Sequence, residues 1–112
     1  MVPAEINYKD HVRGDTINER KFTISQTIGD NTSPVDLSGA VIRVDFVADS
    51  RIKKTIGNGI TVIDPPNGIF KIDNFKLDIP GRWRYDVEIE FPDGLVKTWI
   101  KGFINIKDDI TK

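Results

Sequence analysis

The side chains that could carry chemistry are few and scattered. The chain has one histidine, His11, and it follows Asp10. A catalytic triad is assembled in space, so sequence distance alone does not exclude one. Strand alternation, however, would send His11 and Asp10 to opposite faces, and the residue reads as a surface histidine. Glu88 and Glu90 stand two apart, and paired carboxylates in a cleft can hydrolyse glycosidic bonds. Here Arg84 and Lys97 offer simpler partners, so a solvated, charge-balanced strand face is expected instead. Asp30 with Asn31, Asp64, Asp73 and Asp93 fall in or near turn signals. Turn carboxylates can gather calcium, but no spacing here matches a calcium loop, and Asp and Asn favour turns for backbone reasons. The absence of cysteine excludes disulfides, thiolate metal sites and thiol catalysis. Arg13-Gly14-Asp15 reads as a turn before a strand. No catalytic, cofactor-binding or metal-binding set is expected, and no cofactor.

The elements that must position these groups show a period of two. From Arg82 to Phe91, Trp83, Tyr85, Val87, Ile89 and Phe91 fall on one face, and Arg82, Arg84, Asp86, Glu88 and Glu90 on the other. Such alternation predicts a strand with one buried and one wet side. Pro92-Asp93-Gly94 then predicts a hairpin turn into Leu95–Ile100. Two registers compete. A two-residue loop pairs Glu90 with Lys97 and Asp86 with Lys101, and turns Val96 and Ile100 inward. A three-residue loop pairs Val87 with Trp99 and Trp83 with Phe103, and turns Val96 and Ile100 outward. A slip of one residue flips every side chain, so one register is expected to hold throughout. The first is preferred near the turn, for charge pairing on one face and burial on the other, with Gly102 marking a bulge that turns Phe103 inward. It leaves Trp99 outward between Lys97 and Lys101, and these three form the candidate interface. In the other register Trp99 is core.

Ala40–Val47 alternates Ile42, Val44 and Phe46 against Arg43 and Asp45. Arg20–Gln26 places Phe22 and Ile24 together, Gly59–Asp64 and Ile69–Asp73 flank a turn at Pro65-Pro66-Asn67-Gly68, and Ile6 and Tyr8 suggest a first strand. No stretch has sustained helical spacing. The prediction is all-β: a single domain, residues 1–112, built as a two-sheet immunoglobulin-like sandwich of about seven to eight antiparallel strands, with an incomplete barrel as the alternative. Sixteen basic against seventeen acidic side chains leave a net charge of −1, which argues against nucleic-acid binding by a basic field. No apolar run approaches membrane-spanning length, and no signal peptide is visible, so a protein made in the cytoplasm without a membrane partner is expected.

Several stretches, in this order, resemble a known family: Arg13-Gly14-Asp15-Thr16, Val35–Ile42, Gly57–Val62, Pro66–Phe70, Gly81–Val87, Phe91–Thr98, Lys101-Gly102-Phe103 and Asp109-Ile110-Thr111. Together they are similar to the small immunoglobulin-like domains of tailed-phage virion proteins, of the type found at the N-terminus of siphophage baseplate upper proteins. The resemblance implies a non-enzymatic part that anchors or decorates, located in the phage tail, with other virion or tail proteins as partners and homo-oligomers expected. Such domains often continue into a fibre. This sequence ends at Lys112, from which a standalone component is expected. The alternative function is recognition of a cell-surface glycan, for which an outward Trp99 would supply the stacking platform.

Overall fold

A computed structural model describes residues 3–108. Thirteen strands account for most of them: β1 (Ala4–Glu5), β2 (His11–Val12), β3 (Thr16–Ile17), β4 (Arg20–Thr23), β5 (Ser25–Ile28), β6 (Asn31–Pro34), β7 (Val41–Val47), β8 (Arg51–Ile56), β9 (Gly59–Asp64), β10 (Ile69–Ile72), β11 (Phe75–Lys76), β12 (Gly81–Glu90) and β13 (Val96–Lys107). The only helical element among the described residues is a single 3₁₀ turn at Pro65–Asn67. The protein is therefore nearly all β, as the period-two pattern predicts. Asp109-Ile110-Thr111, part of the family resemblance, lies outside the described residues.

The main sheet has nine strands. Its path runs β1-β13-β12-β7-β8-β9-β10-β4, and β2 also pairs with β13. The strongest sequence signal lies at its heart. In β12, Trp83, Tyr85, Val87 and Ile89 are all buried, while Arg82, Arg84 and Asp86 face out. β7 flanks it and buries Ile42, Val44 and Phe46 on the same side. One apolar cluster joins these residues to Phe22 and Ile24 near β4, Ile60 on β9, and Phe70 and Ile72 on β10. Strands far apart on the path thus share one core, so the sheet is curled around it. Phe46 sits at the junction, stacked on Tyr85 and tilted against Phe75 of β11 at 5.2 and 4.8 Å between ring centres.

Three pairings are parallel, where antiparallel strands alone were expected. β1 and β2 run parallel to β13, and backbone bonds from Ile6 N to Lys101 O and from Tyr8 N to Phe103 O continue the contact between them. No tight turn links this N-terminal segment to β13, so nothing constrains its direction as a hairpin would. β8 and β9 also meet in parallel, through only two residue pairs. At Gly57-Asn58-Gly59 the chain steps sideways rather than reversing, held by Asn58 N to Thr55 O and Gly57 N to Ile60 O. β8 itself was not foreseen. Its sequence, Arg-Ile-Lys-Lys-Thr-Ile, has no clean alternation, because Lys54 points inward.

Outside the main sheet, β3 pairs with β11, and β5 pairs with β6 as a separate ribbon. The strand expected over Arg20–Gln26 is broken at Ile24, where the chain leaves β10 and begins this ribbon.

Candidate functional site

The β12–β13 hairpin decides where the three candidate interface residues lie. Near the turn it adopts the three-residue register, not the two-residue one expected there. Phe91 N donates to Leu95 O, Glu90 faces Val96, Ile89 faces Lys97 and Glu88 faces Thr98. Beyond a bulge between Glu88 and Val87 it adopts the other register, with Val87 facing Ile100, Asp86 facing Lys101 and Trp83 facing Ile104. Both registers therefore coexist, joined by one extra residue, Trp99. A bulge leaves that residue unpaired and bends the strand. Both Trp99 and Ile100 turn to the core, and the indole is only 8% exposed.

Three sequence expectations change as a result. Trp99 is not an outward platform; it packs edge-on against Phe91 at 6.2 Å. The bulge is not at Gly102, which pairs regularly with Tyr85. Phe103 is not turned inward but lies on the outer side, with the Arg82 guanidinium 3.6 Å from its ring centre. Gly102 serves another purpose. A Cβ there would run into the Ile6 carbonyl and the Tyr85 ring, so its hydrogen atom lets the N-terminal segment cross close to the sheet. Tyr85 donates its hydroxyl hydrogen bond to that same Ile6 oxygen.

Lys97 and Lys101 consequently point to opposite faces. Four residues apart, they would share a face on a regular strand; the inserted Trp99 separates them. Lys101 joins a row of charge across the outer face: Lys53, Asp45, Asp86, Lys101 and Glu5, on five adjacent strands. Asp45 and Asp86 meet directly within this row. Burial, followed by the neighbouring Asp45 and Glu88 charges, raises the Asp86 pKa above the ordinary aspartate value, while Arg51 opposes the shift. Beside it lies an open depression of about 700 Å³, whose walls include Arg84 and Phe103. The two glutamates find a partner that sequence reading missed. Arg43 of β7 spans both, at 2.8 Å from Glu88 and 3.1 Å from Glu90, in place of Arg84 and Lys97. Only the β7–β12 pairing reveals this.

Lys97 instead lies on the inner side at the open end of the sheet. With Trp99, Phe91, Leu95, Gln26 and Val35 it lines a shallow cleft of about 490 Å³ at the root of the β5–β6 ribbon. Leu95 is largely exposed there. Two carboxylates also line the cleft, but both are tied to their own turns. Asp36 accepts the Ser38 N–H at 2.8 Å, and hydrogen bonds from Ser38 lower its pKa. Asp93 accepts the Leu95 N–H at 3.0 Å.

The other candidates for chemistry stay apart. His11 Nδ1 lies 2.7 Å from the Lys9 carbonyl oxygen, while Asp10 faces Asn105 and Lys107. Arg13-Gly14-Asp15 forms the expected turn, with Asp15 N bonded to Val12 O. Asp64 accepts from Asn67 and Asp73 from Thr61. Among the described residues no group of three or more His, Cys, Asp or Glu side chains could hold a metal ion, and no helix is long and apolar enough to cross a membrane. The described surface carries a charged outer face and a cleft with apolar walls, one lysine and two carboxylates.

Comparison with known proteins adds little. No protein-family profile matches the sequence. No curated protein matches it either. A solved structure of murine CRIg is similar over 96% of this chain and 93% of its own, at 10% identity and a TM-score of 0.34, a likeness too low to carry an argument.

Proposed function

We propose that this protein is a non-enzymatic structural or attachment module of a phage tail or baseplate, acting through protein–protein contacts. The fold beneath that reading is a two-layer immunoglobulin-like sandwich, with β13-β12-β7-β8 as one layer and β9-β10-β4 as the other. The thin two-residue link between β8 and β9, and the single core shared by both halves, support the layered reading.

One observation carries the functional reading: the molecule presents an open apolar cleft beside a ribbon with no buried face, features suited to docking on other proteins. The sequence resemblance to tailed-phage domains supplies the setting. A glycan-binding role would need an exposed ring, and Trp99 is not one. The test is to look for the protein in purified phage particles by mass spectrometry and to capture its virion partners with the tagged protein. Presence in particles is expected. Absence from particles, with no virion protein retained, would overturn the reading.

A further inference from the structure

The β5–β6 ribbon poses a physical problem. All eight of its strand residues are exposed, and the two strands pair only with each other. A lone two-stranded hairpin is marginal in water without a packed face. Its visible reinforcement is the ladder itself and a 2.8 Å contact between the Thr27 and Thr32 hydroxyls. Yet its tip carries Ile28, 71% exposed, just before the Gly29-Asp30 turn. One exposed isoleucine needs no explanation on an ordinary surface. At the end of a ribbon that buries nothing, it is the sole large apolar group the arm can offer.

The cleft at the root of the same arm is complementary to that tip. It is walled by Phe91, Pro92, Leu95 and Trp99, and its rim carries Lys97. Among the described residues Lys97 has no ion pair or hydrogen bond through its side chain, and neither has Asp30 at the tip. The two acids of the cleft, Asp36 and Asp93, are already engaged by backbone N–H groups. An apolar side chain beside an unpaired carboxylate thus matches the apolar wall of a cleft whose one ammonium is unpaired, while its two carboxylates, still charged, are each held by a backbone N–H. The arm cannot fold back into its own root, because its ladder holds the tip a full strand length away. Two copies with antiparallel arms can satisfy both contacts at once, each tip at the other's root, which is the self-complementary logic of a two-fold interface.

We infer that the β5–β6 arm is a self-association device: Ile28 of one copy enters the Phe91–Leu95–Trp99 cleft of a second copy, with Asp30 pairing to Lys97. This names the partner that the assembly reading leaves open, and it rests on that reading.

The absence of cysteine makes the test clean. Asn31→Cys places a single thiol at the tip, and Ser38→Cys places one at the cleft rim. The two variants, mixed and treated with a short bis-maleimide, should give a cross-linked pair containing one of each. Ile28→Asp should weaken association about tenfold or more, as expected for losing one buried aliphatic side chain. Lys97→Glu should weaken it too, and adding Asp30→Lys should restore it. Near-UV circular dichroism confirms that each variant is folded. A strictly monomeric protein across a concentration series would overturn the inference. So would cross-linking of Asn31→Cys only with itself, or association indifferent to Ile28→Asp. Presence in particles without the tip-to-cleft cross-link would overturn this inference and leave the assembly reading standing.

Discussion

Two of the hairpins, β12–β13 and β5–β6, share a backbone geometry and little else. β12–β13 has a strict inner face, and Trp83, Tyr85, Val87, Ile89, Ile100, Ile104 and Ile106 are buried along it. β5–β6 buries nothing. Each is a ladder of paired backbone groups, so the ladder is not what distinguishes them. Backbone hydrogen bonds made in the protein largely replace bonds to water, and each contributes only about 1 kcal/mol net. Burial of a large apolar side chain contributes roughly 1.5–3 kcal/mol, and β12–β13 does this repeatedly. The contrast teaches that one hairpin is held by the core, whereas the other is held at its root alone and is available to something outside the molecule.

The largest expected effect lies in the first hairpin. Trp83→Ala removes a side chain that is almost wholly buried and donates its indole N–H to the Ile79 carbonyl at 3.0 Å. It should cost about 3–5 kcal/mol in a denaturant melt. Gly102→Ala comes next. Its new methyl group must displace the Ile6 backbone, and a loss of roughly 1–3 kcal/mol is expected, with faster hydrogen exchange at the Ile6 and Tyr8 amides.

The two core tyrosines show the same division within one cluster. They meet edge to face at 5.3 Å. Tyr85 donates its hydroxyl to Ile6, while the buried Tyr8 hydroxyl has no partner among the described residues. Tyr85→Phe should therefore cost about 1 kcal/mol, and Tyr8→Phe should be neutral or slightly stabilising. Burial is the main cause that raises both phenol pKa values, Tyr85 to about 12 and Tyr8 beyond that. The unfolded phenols ionise near the ordinary value of 10.0, before the folded ones do. The unfolded chain then binds fewer protons than the native state, so this contribution to stability is complete below pH 10 and is lost as pH climbs toward 12. Urea melts at a series of alkaline pH values should show this decline, and Tyr85→Phe should flatten it.

The smallest effects are on the surface. Arg43→Ala breaks two half-exposed ion pairs and should lower the denaturation midpoint only slightly, and less at high salt. In the second hairpin, Thr27→Ala should stay within about 0.5 kcal/mol in the isolated protein. A cost there as large as for Trp83→Ala would erase the contrast between the hairpins.

What could be read from the residues follows the same division. The β12 strand, the turn at Pro92-Asp93-Gly94 and the inward set on β7 were legible, because alternation between water and core is written residue by residue. β8 was not, since Lys54 breaks its pattern. Lys54 is 8% exposed and lies 4.1 Å from the Phe75 ring centre, with burial lowering its pKa and Asp73 opposing. A lysine facing inward becomes intelligible only once the ring that receives it is in place. The alternation predicts one shared face for Lys97, Trp99 and Lys101, and a single inserted residue divides them.

The order of residues along the chain dictates strands, sets which side chains of the main strand leave water, and excludes thiol chemistry. The tertiary structure alone decided the register, the position of the bulge, the partner of Glu88 and Glu90, and which hairpin stands free. The reason is physical. Alternation and turn propensity act between neighbours along the chain, while pairing and packing depend on segments that meet only after folding, where shifting one residue exchanges an inside for an outside.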